Sequence, residues 1–204
     1  MSSLEELRAL RLKKLELLRE AFGEVYPSET HRTLSLADSL ASFTKLLKSK
    51  KLVVVAGRVR ALRPHGGSIF FDIEENGTRL QVLMQKDAVD VKLFDLFTGA
   101  VDIGDFVEVS GRAYVTKRKE KSIAAEGWRI LAKNTLPLPE KWHGLTDQEE
   151  RYRLRALDLL ANDRAREIFI LRAKALGFIR SYFEKNGFIE VETPVLQHIP
   201  GGAT

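Results

Sequence analysis

The sequence contains no cysteine, which excludes a disulfide scaffold and a thiolate-ligated metal. Its histidines, at positions 31, 65, 143 and 198, show no close ligand spacing such as H-x-x-x-H, and no metal site is expected. No apolar run approaches the roughly 20 residues that a membrane span needs. Glu5, Glu6, Glu16 and Glu20 interrupt the N-terminal stretch, so it reads as neither a secretory signal nor a transit peptide. A cytoplasmic protein that does not engage membranes is the expectation left. Charge of one sign is also in short supply. The net charge is +5, with pI near 9.4, which suits a polyanionic partner and equally fits ordinary surface charge.

What is present is the composition of a globular chain: 44% hydrophobic and 30% charged residues over 204 positions. That length holds one large domain, or one small domain plus part of another. Residues 3–22 read as a helix. Ser3 with Glu6 fits a capping box, and Leu4, Leu7, Leu10, Leu15, Leu18 and Phe22 recur at helical spacing. Arg8, Arg11, Lys13, Lys14 and Arg19 give this helix a basic face, the usual reading of which is a solvated surface. Gly23 and Pro27 stop it, and a second short helix is expected near Leu36–Leu47.

Residues 52–132 have the pattern of a compact β domain. Val-rich Leu52–Leu62 is a long first strand, in which Gly57 marks a bulge or bend. Ser68–Ile73 and Arg79–Gln85 are strands joined across Asn76-Gly77, a strong hairpin signal. Val89–Leu96 turns helical. Phe106–Thr116 and Ser122–Leu131 complete a set of five strands with a helix after the third, the element order of an OB-fold. If Asn76-Gly77 forms the loop, Glu75 faces Thr78 and Ile73 faces Leu80. Phe71 then faces Val82, Ile69 faces Met84, and these apolar residues share the barrel interior. Phe70 and Gln81 point the other way. An outward aromatic beside an amide is a stacking platform for a base. The competing reading places Phe70 in ordinary core under the N-terminal helix. Arg58, Arg60 and Arg63 on the first strand favour the nucleic-acid reading, as partners for phosphates.

Beyond the barrel, Pro137-Leu138-Pro139, His143-Gly144-Leu145, Arg151-Tyr152-Arg153 and Leu157-Asp158-Leu159 follow in order. Residues 149–186 are helical in pattern, including a helix over Arg166–Lys185, and Phe188–Val191 reads as a strand ended by Pro194. Together with Gly187-Phe188, Glu190-Val191-Glu192-Thr193-Pro194 and Gly201-Gly202-Ala203, these residues resemble the N-terminal part of bacterial-type class II lysyl-tRNA synthetases. Leu154 and Ala156 depart from that pattern, where the family usually has glutamine and tyrosine.

The resemblance implies a fold of α+β class with a mainly β core. An N-terminal helical extension over 1–50 would precede an anticodon-binding OB-fold over 51–134. A linker over 135–148 and the first part of a class II catalytic domain over 149–204 would follow. It implies that Phe70 stacks on the central anticodon uridine, that Gln81 and Arg63 contact the same region, and that Glu126 lies at the binding face, to which Arg58 is added as the phosphate partner read from the first strand. It implies a homodimer interface at motif 1, involving Phe169, Ile179, Phe183, Phe188 and Pro194. The partner is tRNA, and ATP and Mg2+ belong to the parent enzyme. No catalytic residue is expected within the sequence, because motifs 2 and 3 lie beyond residue 204, and the chain by itself is expected to be inactive. A non-catalytic OB-fold module for single-stranded nucleic acid and a fragment of an aspartyl- or asparaginyl-type synthetase are the alternatives.

Overall fold

The computed structural model describes residues 3–138 and 147–194. His143-Gly144-Leu145, His198 and Gly201-Gly202-Ala203 lie outside the described residues. The chain forms two compact units, Met1–Leu138 and Pro139–Thr204.

In the first unit, α1 (Leu4–Phe22) opens with the expected capping box. The Ser3 hydroxyl accepts from the Glu6 N–H at 3.2 Å, and the Glu6 carboxylate accepts from the Ser3 N–H at 2.9 Å. The single helix expected next is two, α2 (Leu36–Ala41) and α3 (Phe43–Ser49). Ser42 separates them. Its hydroxyl donates back to the Asp38 carbonyl at 2.6 Å, a local bond that bends a helix.

Five strands follow: β1 (Leu52–His65), β2 (Ser68–Glu75), β3 (Thr78–Gln85), β4 (Phe106–Val115) and β5 (Lys121–Ala132). Helix α4 (Val91–Ala100) lies between β3 and β4. The sheet closes as β1-β2-β3-β5-β4, with β3 and β5 parallel and every other pair antiparallel. Closure leaves no free edge to pair with another chain. Strand β1 is long enough to serve two neighbours, pairing with β4 through Arg58 and with β2 from Arg58 onward. The bulge falls between Val59 and Ala61 rather than at Gly57. Gly57 serves strand packing instead. A Cβ there would stand 3.1 Å from the Glu74 carbonyl oxygen, so its absence lets β2 approach.

The core is built from the inward residues of each strand, with Val53, Val55, Val59, Phe71, Ile73, Val107, Val109 and Ile123 all but inaccessible. Phe97 of α4 plugs one end, its ring 4.6 Å from Phe71 and 4.9 Å from Trp128. Phe22 of α1 stacks edge-on against Trp128 at 5.0 Å. Polar contacts brace α1 on the barrel. The fully buried Lys133 ammonium donates to Asp102 at 2.6 Å and Asp105 at 2.7 Å, while Lys14 reaches the other Asp102 oxygen at 2.6 Å. Arg11 donates to the carbonyls of Asn134 and Leu136. Part of the basic face of α1 is therefore structural rather than solvated.

The second unit is helical. Helices α5 (Gln148–Arg153), α6 (Arg155–Ala161) and α7 (Asp163–Lys185) follow one another. Asp158 is buried and takes Arg151 at 2.8 Å and Arg155 at 2.7 Å, which joins α5 to α6. The Asn162 side chain caps α7 by accepting from the Ala165 N–H at 3.2 Å. Gly187, at φ +82°, follows the helix end. Phe188–Val191 does not form the expected strand. A strand exists only through ladder bonds to a neighbour, and no segment among the described residues pairs with this one. No helix among the described residues is long and apolar enough to cross a membrane.

Candidate nucleic-acid interface

The interface is set by the β2–β3 hairpin. Asn76 at φ +49° and Gly77 at φ +81° both adopt the left-handed conformation that a two-residue turn of this kind requires. The register is the expected one, pairing Glu75 with Thr78, Ile73 with Leu80, Asp72 with Gln81, Phe71 with Val82 and Ile69 with Met84. All the apolar partners predicted to face inward are buried.

The opposite face reads as rows across four strands. Arg63, Phe70, Leu83 and Ala124 are successive partners on β1, β2, β3 and β5. Ala61, Asp72, Gln81 and Ser122 form the next row. Phe70 is half-buried and stands outside the hydrophobic cluster that fills the barrel, unlike its neighbour Phe71. Its position is thus on the outer face and not in core under the N-terminal helix. Arg63 beside it makes a two-pronged pair with Asp72, at 2.9 and 2.6 Å. That hydrogen-bonded pair raises the guanidinium above its ordinary value, against the opposing effect of burial.

Gln81 is held from two sides. Its Nε2 donates to Glu120 at 2.9 Å, and its Oε1 accepts from the buried Ser122 hydroxyl at 2.8 Å. Glu120 and Ser122 are contributions that sequence reasoning missed. The parallel β3–β5 pairing that brings them to Gln81 joins segments 39 and 41 residues apart, and no local pattern announces it. The amide–carboxylate bond leaves one Gln81 N–H and one carbonyl lone pair for a ligand.

The remaining candidates are placed elsewhere. Glu126 lies on the outer side of β5, two residues beyond Ala124, and is paired with Arg112 at 2.6 Å. Arg58 is across the β1 bulge from Phe70. Its guanidinium lies 4.3 Å over the Phe106 ring and donates to the Gly104 carbonyl at 3.1 Å. Burial, and then the neighbouring Arg60, lower its proton affinity. Arg60 pairs with Glu74 at 3.4 Å. In the second unit, Phe169, Ile179, Phe183 and Phe188 are all exposed, and Pro194 ends the described residues. Among the described residues, no group of three His, Cys, Asp or Glu side chains is arranged to hold a metal.

Residues 53–131 match the family of OB-fold nucleic acid binding domains, and residues 147–204 match the class II tRNA synthetases of the D, K and N group. The two matches together describe a nucleic-acid-binding barrel followed by a segment similar to the start of a class II tRNA synthetase domain. Relatives that match along nearly the whole chain narrow the class. The chain is 44% identical over 198 residues to the lysine–tRNA ligase of Agrobacterium fabrum, covering 96% of this chain and 39% of that protein. It is 44% identical over 202 residues to the lysine–tRNA ligase of a Roseiflexus species, covering 98% and 41%. With the lysine–tRNA ligase of Carboxydothermus hydrogenoformans it shares 40% identity over 200 residues, covering 98% and 40%. The chain is thus similar along nearly its whole length to lysine–tRNA ligases, and it spans about two fifths of the length of these relatives.

Proposed function

We propose that the barrel reads the anticodon of the lysine tRNA and that the whole protein joins lysine to that tRNA with ATP, by way of a lysyl-adenylate. The observation that carries the reading is the outward Phe70 beside the doubly held Gln81. A central uracil would stack on the Phe70 ring, a contact of roughly 1–3 kcal/mol. Its N3–H and a ring carbonyl would meet the free lone pair and the free N–H of Gln81. Arg63 would exchange part of its bond with Asp72 for a neighbouring phosphate. Glu126 and Arg58 flank this centre and would contribute less. ATP and Mg2+ belong to the activity of the whole ligase, and a cytoplasmic site of action goes with it.

The 51–134 segment is proposed as the anticodon-binding domain, with 1–50 as its helical extension, 135–148 as linker and 149–204 as the first part of the catalytic domain. The exposed apolar side chains of α7 are proposed as a dimer surface. Titrating the chain with anticodon stem-loops that differ only in the central base tests the central reading. Preference for U, abolished by Phe70→Ala, is expected. Sequence-tolerant binding by the unaltered chain would instead mark a general single-strand module.

A further inference from the structure

The outer face that carries Phe70 does not end at its row. Two residues further along each strand, His65, Ser68 and Gln85 are successive partners on β1, β2 and β3. In the row between, Ile69 and Met84 belong to the core, so His65, Ser68 and Gln85 share the face of Arg63, Phe70 and Leu83. His65 and Gln85 are exposed, and Ser68 between them is half-buried.

The backbone of this row is fixed while its outer side chains are free. The Lys86 N–H donates to the Gly67 carbonyl at 2.9 Å, which ties the β1–β2 turn to the end of β3. The Ser68 hydroxyl donates to the His65 carbonyl at 2.9 Å, and the Lys86 ammonium is taken by Asp95 at 2.8 Å. Among the described residues, neither the His65 imidazole nor the Gln85 amide has a hydrogen-bond or ion-pair partner. Gln81 differs, being held by Glu120 and Ser122.

Rows on one face lie about 6.8 Å apart. That is twice the rise of about 3.4 Å between neighbours along a stacked strand. A base over Ser68 would therefore be the unstacked neighbour of a base on Phe70, the splayed arrangement in which single-stranded RNA is read. With the pairing edge of the central base turned to Gln81, His65 and Gln85 lie on its far side.

We infer that His65, Ser68 and Gln85 form a subsite for the nucleotide adjoining the central base, an inference that rests on the anticodon reading above. The imidazole ring stacks on that base, and the Gln85 amide bonds its edge. An amide with no protein partner turns either way, so this subsite adds affinity while accepting either pyrimidine. The held Gln81 selects, and the free Gln85 tolerates.

The test is a cycle that combines His65→Ala with Gln85→Ala in the chain and removal of a single base in the stem-loop. Two loops are used besides the intact one, each abasic at one neighbour of the central nucleotide. Both side chains are exposed and unpartnered, so the double variant keeps its fold, which its thermal unfolding checks. Its affinity for the intact loop is expected to fall about tenfold. With one of the two abasic loops, the variant and the unaltered chain are expected to bind equally. Exchanging U for C at that position is expected to change binding by the unaltered chain less than about threefold. His65→Phe, which keeps a stacking ring, is expected to stay within about threefold of the unaltered chain. No loss on the intact loop, or a loss that persists in full with both abasic loops, overturns the subsite. A loss in His65→Phe as large as in His65→Ala overturns the stacking role. Failure of the anticodon reading looks different: the unaltered chain would show no preference for central U, whatever the cycle gives.

Discussion

The Gln81 amide nitrogen donates to the Glu120 carboxylate at 2.9 Å. An ionised carboxylate only accepts, so it admits the nitrogen and rejects the oxygen, and the amide is fixed in one of its two orientations. Uracil and cytosine present donor and acceptor in opposite order on the edge that such an amide would meet. A fixed amide suits one of them, whereas a freely flipping amide suits either. Glu120→Gln replaces the carboxylate with a group that both donates and accepts. Stem-loop titrations are expected to show the U-over-C preference falling by about tenfold, near 1.4 kcal/mol, with the affinity for the better base falling less.

Phe70 and Phe71 are sequence neighbours on opposite faces of β2 and should fail in opposite ways. Phe71 is fully buried against Phe97, and Phe71→Ala is expected to cost about 3–5 kcal/mol of stability in denaturant unfolding. Phe70 stands outside the core, so Phe70→Ala is expected to cost less than about 1 kcal/mol of stability. It should nonetheless weaken stem-loop binding by roughly 1–3 kcal/mol. Equal destabilisation by the two substitutions would place Phe70 in the core.

The contrast between these two residues shows what sequence can carry. Alternation plus a turn that demands positive φ at Asn76 and Gly77 determines every pair on the hairpin, so the outward placement of Phe70 and Gln81 is legible from residue order alone. Glu120 is not, because the β3–β5 pairing that delivers it joins distant segments across a barrel closure. The same difficulty displaces the bulge from Gly57: the glycine answers to the approach of Glu74, which is invisible along β1. Ser42 splits the α2–α3 segment through a side-chain bond that periodicity does not register. Phe188–Val191 has strand-like residues and, among the described residues, no neighbour to pair with, and pattern by itself cannot distinguish those two conditions.

Acid should loosen the segment that precedes α2. The Glu108 carboxylate is nearly buried, which pushes its proton affinity up. Bonds from the Thr30 hydroxyl at 2.7 Å, Arg129 at 3.0 Å and the His31 N–H at 2.7 Å outweigh that effect and hold it below its ordinary 4.5. Asp102 is likewise held below its ordinary value: burial opposes, and Lys133 and Lys14 prevail. Carboxylates lowered on folding add stability above their unfolded values and lose it as pH falls through the folded ones. Asp105 works in the opposite sense, because burial raises it despite Lys133. Thermal stability is therefore expected to fall as pH drops below about 4.5. Glu108→Gln should lower stability near neutrality and flatten that acid slope. An unchanged slope in this variant would remove Glu108 from the account.

Helix α7 carries more apolar surface than its own unit covers. Phe169, Leu176, Ile179 and Phe183 recur at i, i+7, i+10 and i+14 along one stripe, and Ile168, Leu171, Phe178 and Tyr182 recur at i, i+3, i+10 and i+14 along an adjacent one. All are exposed, with Phe178 at 72% and Leu171 at 68%, and Ala165 is the helix's buried residue. A helix with a single partner needs an apolar arc of about 100°, and these two stripes together exceed it. A second copy packed on the Phe169–Phe183 stripe would still leave the Phe178 stripe uncovered, which fits a helix wedged between two different partners. Sedimentation of the chain is expected to show reversible dimerisation. Phe183→Asp should raise the dimer dissociation constant by about a hundredfold or more, since it removes about 1.5–3 kcal/mol of burial from each copy and adds a charge. Phe178→Asp should leave the dimer in place while reducing aggregation. Equal loss of dimer in both variants would mean that one broad surface is used, and no loss in the Phe183 variant would move the interface off this stripe altogether.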